Sequence, residues 1–273
     1  MTPDSRIILN IGTLPGTLES KLSAANQLGF KAIEAGNADL AEPNHNIRNN
    51  AQLLRNSNLT ISAFHELQNF LGHSEELMKY NVNLAKFNLR LMGDIGANLL
   101  IVSPATDNYC DLELDRMAAE LRCLAILGTV RGVSIGFKPL PWSQTINTYH
   151  DAIRLIDKAN NANLKLIIDN VAFTERSNTE LKALINNIQI DSIGLVQLSA
   201  LADNQDTSKK PTRYLPSPSH RSPYIEELVV ELEARGYNGL YSLFAETVTC
   251  DDNRTIHEQI KASYDYIQSL RKV

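Results

Sequence analysis

Cysteine is scarce in this chain of 273 residues. Cys110, Cys123 and Cys250 are odd in number, widely spaced and without a C-x-x-C pair. That pattern leaves no disulfide framework and no zinc motif, and it fits a reducing compartment. Long apolar runs are lacking as well: none approaches the roughly 18 residues that a membrane span needs. The first ten residues have no basic stretch ahead of an apolar one, so no secretory signal is expected. Basic charge is not in excess either. The 26 Lys and Arg stand against 31 Asp and Glu, a net −5, which argues against nucleic acid without excluding a small anion held by a local basic group. These absences together describe a cytoplasmic protein with neither a membrane nor a nucleic-acid partner.

What is present is an ordinary globular composition, 43% apolar and 21% charged, in a chain long enough to bury one large core. Barrels of alternating strands and helices reach this length as one domain, here residues 1–273. Apolar, β-branched runs at 6–11, 31–34, 60–64, 98–102, 133–137, 164–169, 193–197 and 239–244 read as strands. Helix-period segments separate them at 18–28, 45–56, 74–92, 112–131, 148–159, 178–187, 224–235 and 256–271. In the first of these, Leu18, Leu22, Ala25 and Leu28 share one face, and Gly29 follows as a terminator. Ser74 is a good helix N-cap, Glu75 and Glu76 suit the positive end, and Leu77 is expected as that helix's first core residue. A polar stretch rich in Lys, Pro and Ser runs from Ser199 to Pro223.

Eight such units predict a single α/β domain, a (β/α)8 TIM barrel. The rival is an open, doubly wound sheet, which usually carries G-x-G-x-x-G after its first strand. Gly12-Thr13-Leu14-Pro15-Gly16 does not match that fingerprint. In a barrel the carboxyl ends of the strands converge on one mouth. Reading those ends gives Asn10, Glu34, His65, Glu66, Ser103, Lys138, Asp169, Gln197 and either Phe244 or Glu246. The set is polar and mixed in charge, which suits a small polar ligand. Strand ends near solvent are polar in any barrel, so position alone singles out none of them.

The most informative stretch is Val133-Ser134-Ile135-Gly136-Phe137-Lys138-Pro139-Leu140-Pro141-Trp142, a buried strand that ends on a charge and runs into a Pro-bounded loop with the only Trp. Continued to Ile146-Asn147-Thr148-Tyr149, it resembles the xylose-isomerase-like TIM-barrel family. Within that family it is most similar to sugar-phosphate isomerase/epimerase-like proteins related to 3-dehydroshikimate dehydratases. Four other stretches agree, in the right order: Phe64-His65-Glu66-Leu67-Gln68-Asn69-Phe70-Leu71-Gly72, Leu166-Ile167-Ile168-Asp169-Asn170, Leu195-Val196-Gln197-Leu198 and Gly236-Tyr237-Asn238-Gly239-Leu240-Tyr241-Ser242-Leu243.

The resemblance implies a site for Mg²⁺ or Mn²⁺ held by two glutamates, an aspartate and a glutamine or histidine, the metal polarising a substrate oxygen. Matched by position, the aspartate falls on Asp169 and the glutamine on Gln197. The two glutamates fall on Lys138 and Phe244. Other features of the dehydratase-like group are also replaced: Ala172 stands where a histidine is usual, and Gln68-Asn69-Phe70-Leu71-Gly72 where R-D-F-E-G is usual. Arg213-Tyr214-Leu215-Pro216-Ser217-Pro218 keeps an arginine of the loop after the seventh strand but not its glycines. An ammonium at a ligand position removes a donor and adds charge of the wrong sign, so no metal cofactor is expected, and Lys138 is expected to pair with Asp169.

Two functions follow from this reading. One is an isomerase, epimerase or dehydratase acting on a small polyhydroxylated carbonyl compound, sugar-like or a cyclic polyol acid. Lys138, Asp169 and Glu34 would be its catalytic residues, and Gln197, Arg213, Glu246, Trp142 and His65 its ligand-binding ones. The other is an inert barrel that binds a small ligand or a protein partner; a homo-oligomer is left open. A DNA-repair endonuclease of the same superfamily is excluded by the acidic charge and the thin histidine set. Glu246 is expected to serve in place of Phe244 only if the strand end is bulged, and Arg213 is expected on the cavity rim. His45, His73, His150 and His257 have no acidic or Cys partner at ligand spacing; His65 and His220 could be acid–base groups, though a single loop histidine reads by default as solvated, as do Lys209 and Lys210.

Overall fold

A computed structural model describes residues 6–41, 46–106, 113–173, 178–201, 209–218, 223–246 and 255–271. His45, His220, Cys110 and Cys250 lie outside the described residues. Seven strands come first: β1 (Ile7–Asn10), β2 (Ala32–Gly36), β3 (Thr60–Leu67), β4 (Leu99–Val102), β5 (Ser134–Phe137), β6 (Leu164–Asp169) and β7 (Ile193–Leu198). A two-stranded antiparallel ribbon follows, β8 (Ala200–Leu201) with β9 (Arg213–Tyr214), and then β10 (Tyr241–Leu243). Eight of these strands form a closed barrel in the order β1-β10-β7-β6-β5-β4-β3-β2. Closure is made by parallel pairing of Ile7 with Tyr241 and Leu9 with Leu243, the contact a (β/α)8 barrel requires.

Strands covered by helices outside and filled inside must be apolar on both faces. Accordingly every residue of β1, β2, β4 and β10 is buried. The inward residues Ile8, Ala63, Ile101, Ile167 and Leu195 form a small cluster of their own inside the barrel, and a larger cluster lies between strands and helices. Helix starts are set by side-chain caps: Thr17, Ser74, Thr148 and Thr255 each accept a backbone N–H of the first turn.

The long helix Glu75–Ile95 corrects one expectation. Leu77 is 41% exposed, because the buried stripe runs through Met78, Asn81, Ala85, Leu89 and Met92, and Leu77 is one residue out of phase with it. The helix ends at Gly96, whose φ of 77° is the left-handed cap that glycine adopts without strain. Among the described residues no helix is long and apolar enough to cross a membrane.

Two departures from the expected elements shape the mouth. β3 runs three residues beyond the expected end at Phe64, and its register against β4 shifts between Phe64 and Leu67. The stretch 199–223, expected as a long polar loop, contains the ribbon β8–β9, whose Arg213 is 2% exposed.

Candidate active site

The centre of the mouth is Lys138, the residue after β5, only 1% exposed. Its ammonium Nζ donates to Gln197 Oε1 at 3.0 Å and to Asp169 Oδ2 at 3.4 Å, and it lies 3.5 Å from Glu66 Oε1. Adjacent strand ends supply these partners, since Asp169 of β6 is in register with Gln197 of β7. Gln197 links the two halves of the site: its Nε2 donates to Glu34 Oε1 at 2.7 Å while its Oε1 accepts from Lys138. Glu34 also accepts from Ser242 Oγ at 2.6 Å and lies 3.0 Å from His65 Nδ1.

Arg213 is not on the rim, where it was expected. It reaches down from β9 and grips Asp169 with both terminal nitrogens, at 2.9 Å and 2.7 Å, the two-pronged geometry its planar group favours. Nη1 also donates to Ser199 Oγ at 3.1 Å, and the guanidinium sits 4.8 Å from the centre of the Phe244 ring. The burial of a loop arginine follows from these partners, because a buried charge is tolerated only when it is paired and hydrogen-bonded. Tyr149 fixes Asp169 from below: its hydroxyl accepts the Asp169 N–H at 2.6 Å and donates to the Asp169 carbonyl at 3.0 Å.

Proton affinities follow from this wiring. Burial alone would raise the pKa of Asp169, but Arg213 first and Lys138 second hold it well below the usual carboxylate range. Burial likewise works against Glu66, and Lys138 and then His65 bring it down to about 2. Glu34 is lowered too, its burial outweighed by the His65 ring and the Ser242 hydroxyl. Arg213 is raised: burial opposes its charge, but Asp169 favours it more. Burial and then the Asp169 carboxylate raise the Tyr149 hydroxyl. All three carboxylates at the floor are therefore ionised at neutral pH.

Above this floor opens a cavity of about 210 Å³. Lys138, Arg213, His65, Trp142 and Glu246, all named from the sequence, line it, while Glu34, Asp169 and Gln197 stand behind them in the same network. Glu246 is partly exposed and pairs with Lys210 at 2.8 Å, so its carboxylate is turned to the rim. Phe244 packs edge-on against His65 at 5.0 Å between centroids, as well as against Arg213.

The sequence reading named Glu66 among the strand ends but gave it no role, and it left Ser199, Ser242 and Tyr149 out of the site. Strict alternation turns only one of two consecutive strand residues inward, but the register shift in β3 lets His65 and Glu66 both line the cavity. Ser242 could have been found, because it is the inward residue of the eighth barrel strand and pairs in register with Gln197. Tyr149 closes the stretch that carries the family resemblance but was given no role; it acts from the start of a helix.

Comparison with known proteins sets this mouth in a lineage. The model of the family described as Xylose isomerase-like TIM barrel matches residues 22–270. The chain belongs to this family. A 3-dehydroshikimate dehydratase of Pseudomonas aeruginosa is 33% identical over 160 residues, which are 58% of this chain and 25% of the dehydratase. The xylose isomerase-like chain thus matches only about a quarter of the length of that relative. By fold it is similar to a xylose isomerase-like TIM barrel/4-hydroxyphenylpyruvate dioxygenase fusion protein, at a TM-score of 0.85 and 22% identity, over 98% of this chain and 43% of the other. It is also similar to an L-ribulose 3-epimerase, at a TM-score of 0.74 and 15% identity over 98% and 95% of the two chains.

Proposed function

We propose that this xylose isomerase-like barrel binds a small polyhydroxylated carbonyl compound in its mouth without a divalent metal ion, Lys138 standing in the cation's place. One observation carries the reading: Lys138 Nζ is ringed by Gln197, Asp169 and Glu66 at 3.0, 3.4 and 3.5 Å. Two of these three, Asp169 and Gln197, are the positions matched to metal ligands of the family. A divalent ion does not fit the donors as they stand. Both Asp169 oxygens are engaged by Arg213, an ammonium adds like charge at the centre, and Phe244 offers a ring where a carboxylate would be needed. Hard cations draw their affinity from the number of anionic oxygens around them. Among the described residues, no three His, Cys, Asp or Glu side chains are grouped to hold a metal.

On this reading the metal-assisted chemistry of the family is absent and binding is retained. Lys138 acts as a fixed internal counter-charge, with its N–H donors directed at oxygens of the protein. Assaying the purified chain on 3-dehydroshikimate and on a ketose, with and without Mn²⁺, is the test. No turnover is expected under either condition, and turnover that requires Mn²⁺ would overturn the proposal.

A second reading, acid–base chemistry without metal, is favoured by His65. Its side chain is 20% exposed, lines the cavity, and has a carboxylate facing each ring nitrogen, Glu34 at 3.0 Å and Glu66 at 3.5 Å. That reading predicts metal-independent turnover, abolished in His65→Gln.

A further inference from the structure

We infer that the mouth cavity selects an uncharged polyol, one hydroxyl of which bridges Glu66 and Ser103, over a phosphorylated or carboxylated compound. This rests on the reading that a small ligand binds in that cavity, and it names the chemistry of that ligand.

The first argument is an inventory of positive charge. Among the described residues, three Lys or Arg side chains line the cavity, and each already has a carboxylate partner. Arg213 is spent on Asp169 at 2.9 and 2.7 Å, Lys210 on Glu246 at 2.8 Å, and Lys138 on Asp169 and Glu66 at 3.4 and 3.5 Å. Four carboxylates, Glu34, Glu66, Asp169 and Glu246, take part in the network against these three cations. To meet one of these three cations, a carboxylate or phosphate entering the cavity would have to displace one of these acids. In a buried site that exchange leaves a charge unpaired, the costliest arrangement available.

The second argument is what remains unmet. Glu66 Oε1, held only by its ion pair with Lys138 at 3.5 Å, and Ser103 Oγ have no hydrogen-bond partner among the described residues, and both are buried. The Ser103 hydroxyl lies near enough to Glu66 to favour its ionised form, but the two oxygens stop short of hydrogen-bond geometry. Both residues belong to the cavity wall. An ionised carboxylate only accepts, whereas a serine hydroxyl donates and accepts. The group that satisfies both is a hydroxyl, which gives its proton to Glu66 and takes one from Ser103. A carboxylate would face Glu66 oxygen to oxygen. An ammonium would face Lys138 and leave the serine proton unused. The exposed Gln68 side chain donates to Glu66 Oε2 at 3.2 Å and leaves Oε1 for the ligand hydroxyl.

Glycerol and D-glycerate share a carbon skeleton and differ in charge, so they make the test pair. Wild-type crystals soaked in each at equal concentration would locate them, and NMR titration would give the two dissociation constants. Glycerol is expected with a hydroxyl between Glu66 and Ser103, bound at least about tenfold more tightly than glycerate, a gap of about 1.4 kcal/mol. Glu66→Gln, which keeps the shape but can donate, should erase most of that preference, and Ser103→Ala should weaken glycerol. Glycerate binding as tightly as glycerol, a floor empty of glycerol, or variants that leave both constants unchanged would each overturn the inference. Anomalous scattering from Mn²⁺ on Asp169 and Gln197 would sink the metal-free reading instead, with the glycerol-to-glycerate ratio still deciding this one.

Discussion

Two layers of the barrel interior, two residues apart on the same strands, are built on opposite principles. Ala32, Gly136, Ile167, Leu195 and Leu240 point into a packed apolar layer. The next inward residues, Glu34, Lys138, Asp169, Gln197 and Ser242, form a buried charged network. The strand period of two sets the spacing in both layers. In the lower layer each contact is weak and nearly independent. In the upper layer every group depends on another, so deleting one partner strands a charge where water cannot reach it.

The sharpest break in that contrast is Arg213→Ala. It leaves Asp169 buried beside Lys138 alone, at 3.4 Å, and should cost about 3–5 kcal/mol in urea unfolding. Acid should attack the upper layer next. The folded pKa of Glu66 is depressed to about 2 from an ordinary value near 4.5, so its stabilisation is complete above the ordinary value and is lost as pH falls from about 4.5 towards 2. Asp169 and Glu34 are depressed in the same direction. Thermal unfolding followed from pH 6 to 2 should show this loss, and Glu66→Gln should make the profile shallower.

The lower layer should respond to shape and not to pH. A Cβ added at Gly136 would meet Ile167 at Cδ1 and, 2.7 Å away, at Cγ1. Gly136→Ala should therefore destabilise by about 1–3 kcal/mol, by the same amount at pH 5 and pH 7. The smallest effect belongs to the rim. Lys210 is more than half exposed in its pair with Glu246, and Lys210→Ala should change stability by less than about 1 kcal/mol.

The lower layer was legible in the sequence because apolar residues at period two have one burial solution, and the barrel followed from eight such runs. Strand ends named Glu34, Lys138, Asp169 and Gln197 as neighbours for the same reason, and the structure joins them through Gln197 and Lys138. Arg213 was placed on the rim with its loop; its descent depends on the Asp169 carboxylate lying below it, a tertiary fact. Glu66 was named as a strand end but given no role, because its inward turn beside His65 needs the shifted register of β3, which alternation alone cannot supply. Leu77 missed the core by one residue of helical phase, an error that hydrophobicity without neighbours invites.

The central claim is that a lysine occupies the position of a metal. Calorimetric titration of Mn²⁺ into the wild-type protein tests it most directly, with Lys138→Glu/Phe244→Glu, the variant that restores both glutamates, run alongside. The account predicts no stoichiometric binding by the wild type and measurable binding by the double variant. Tight binding of one Mn²⁺ per wild-type chain would contradict it.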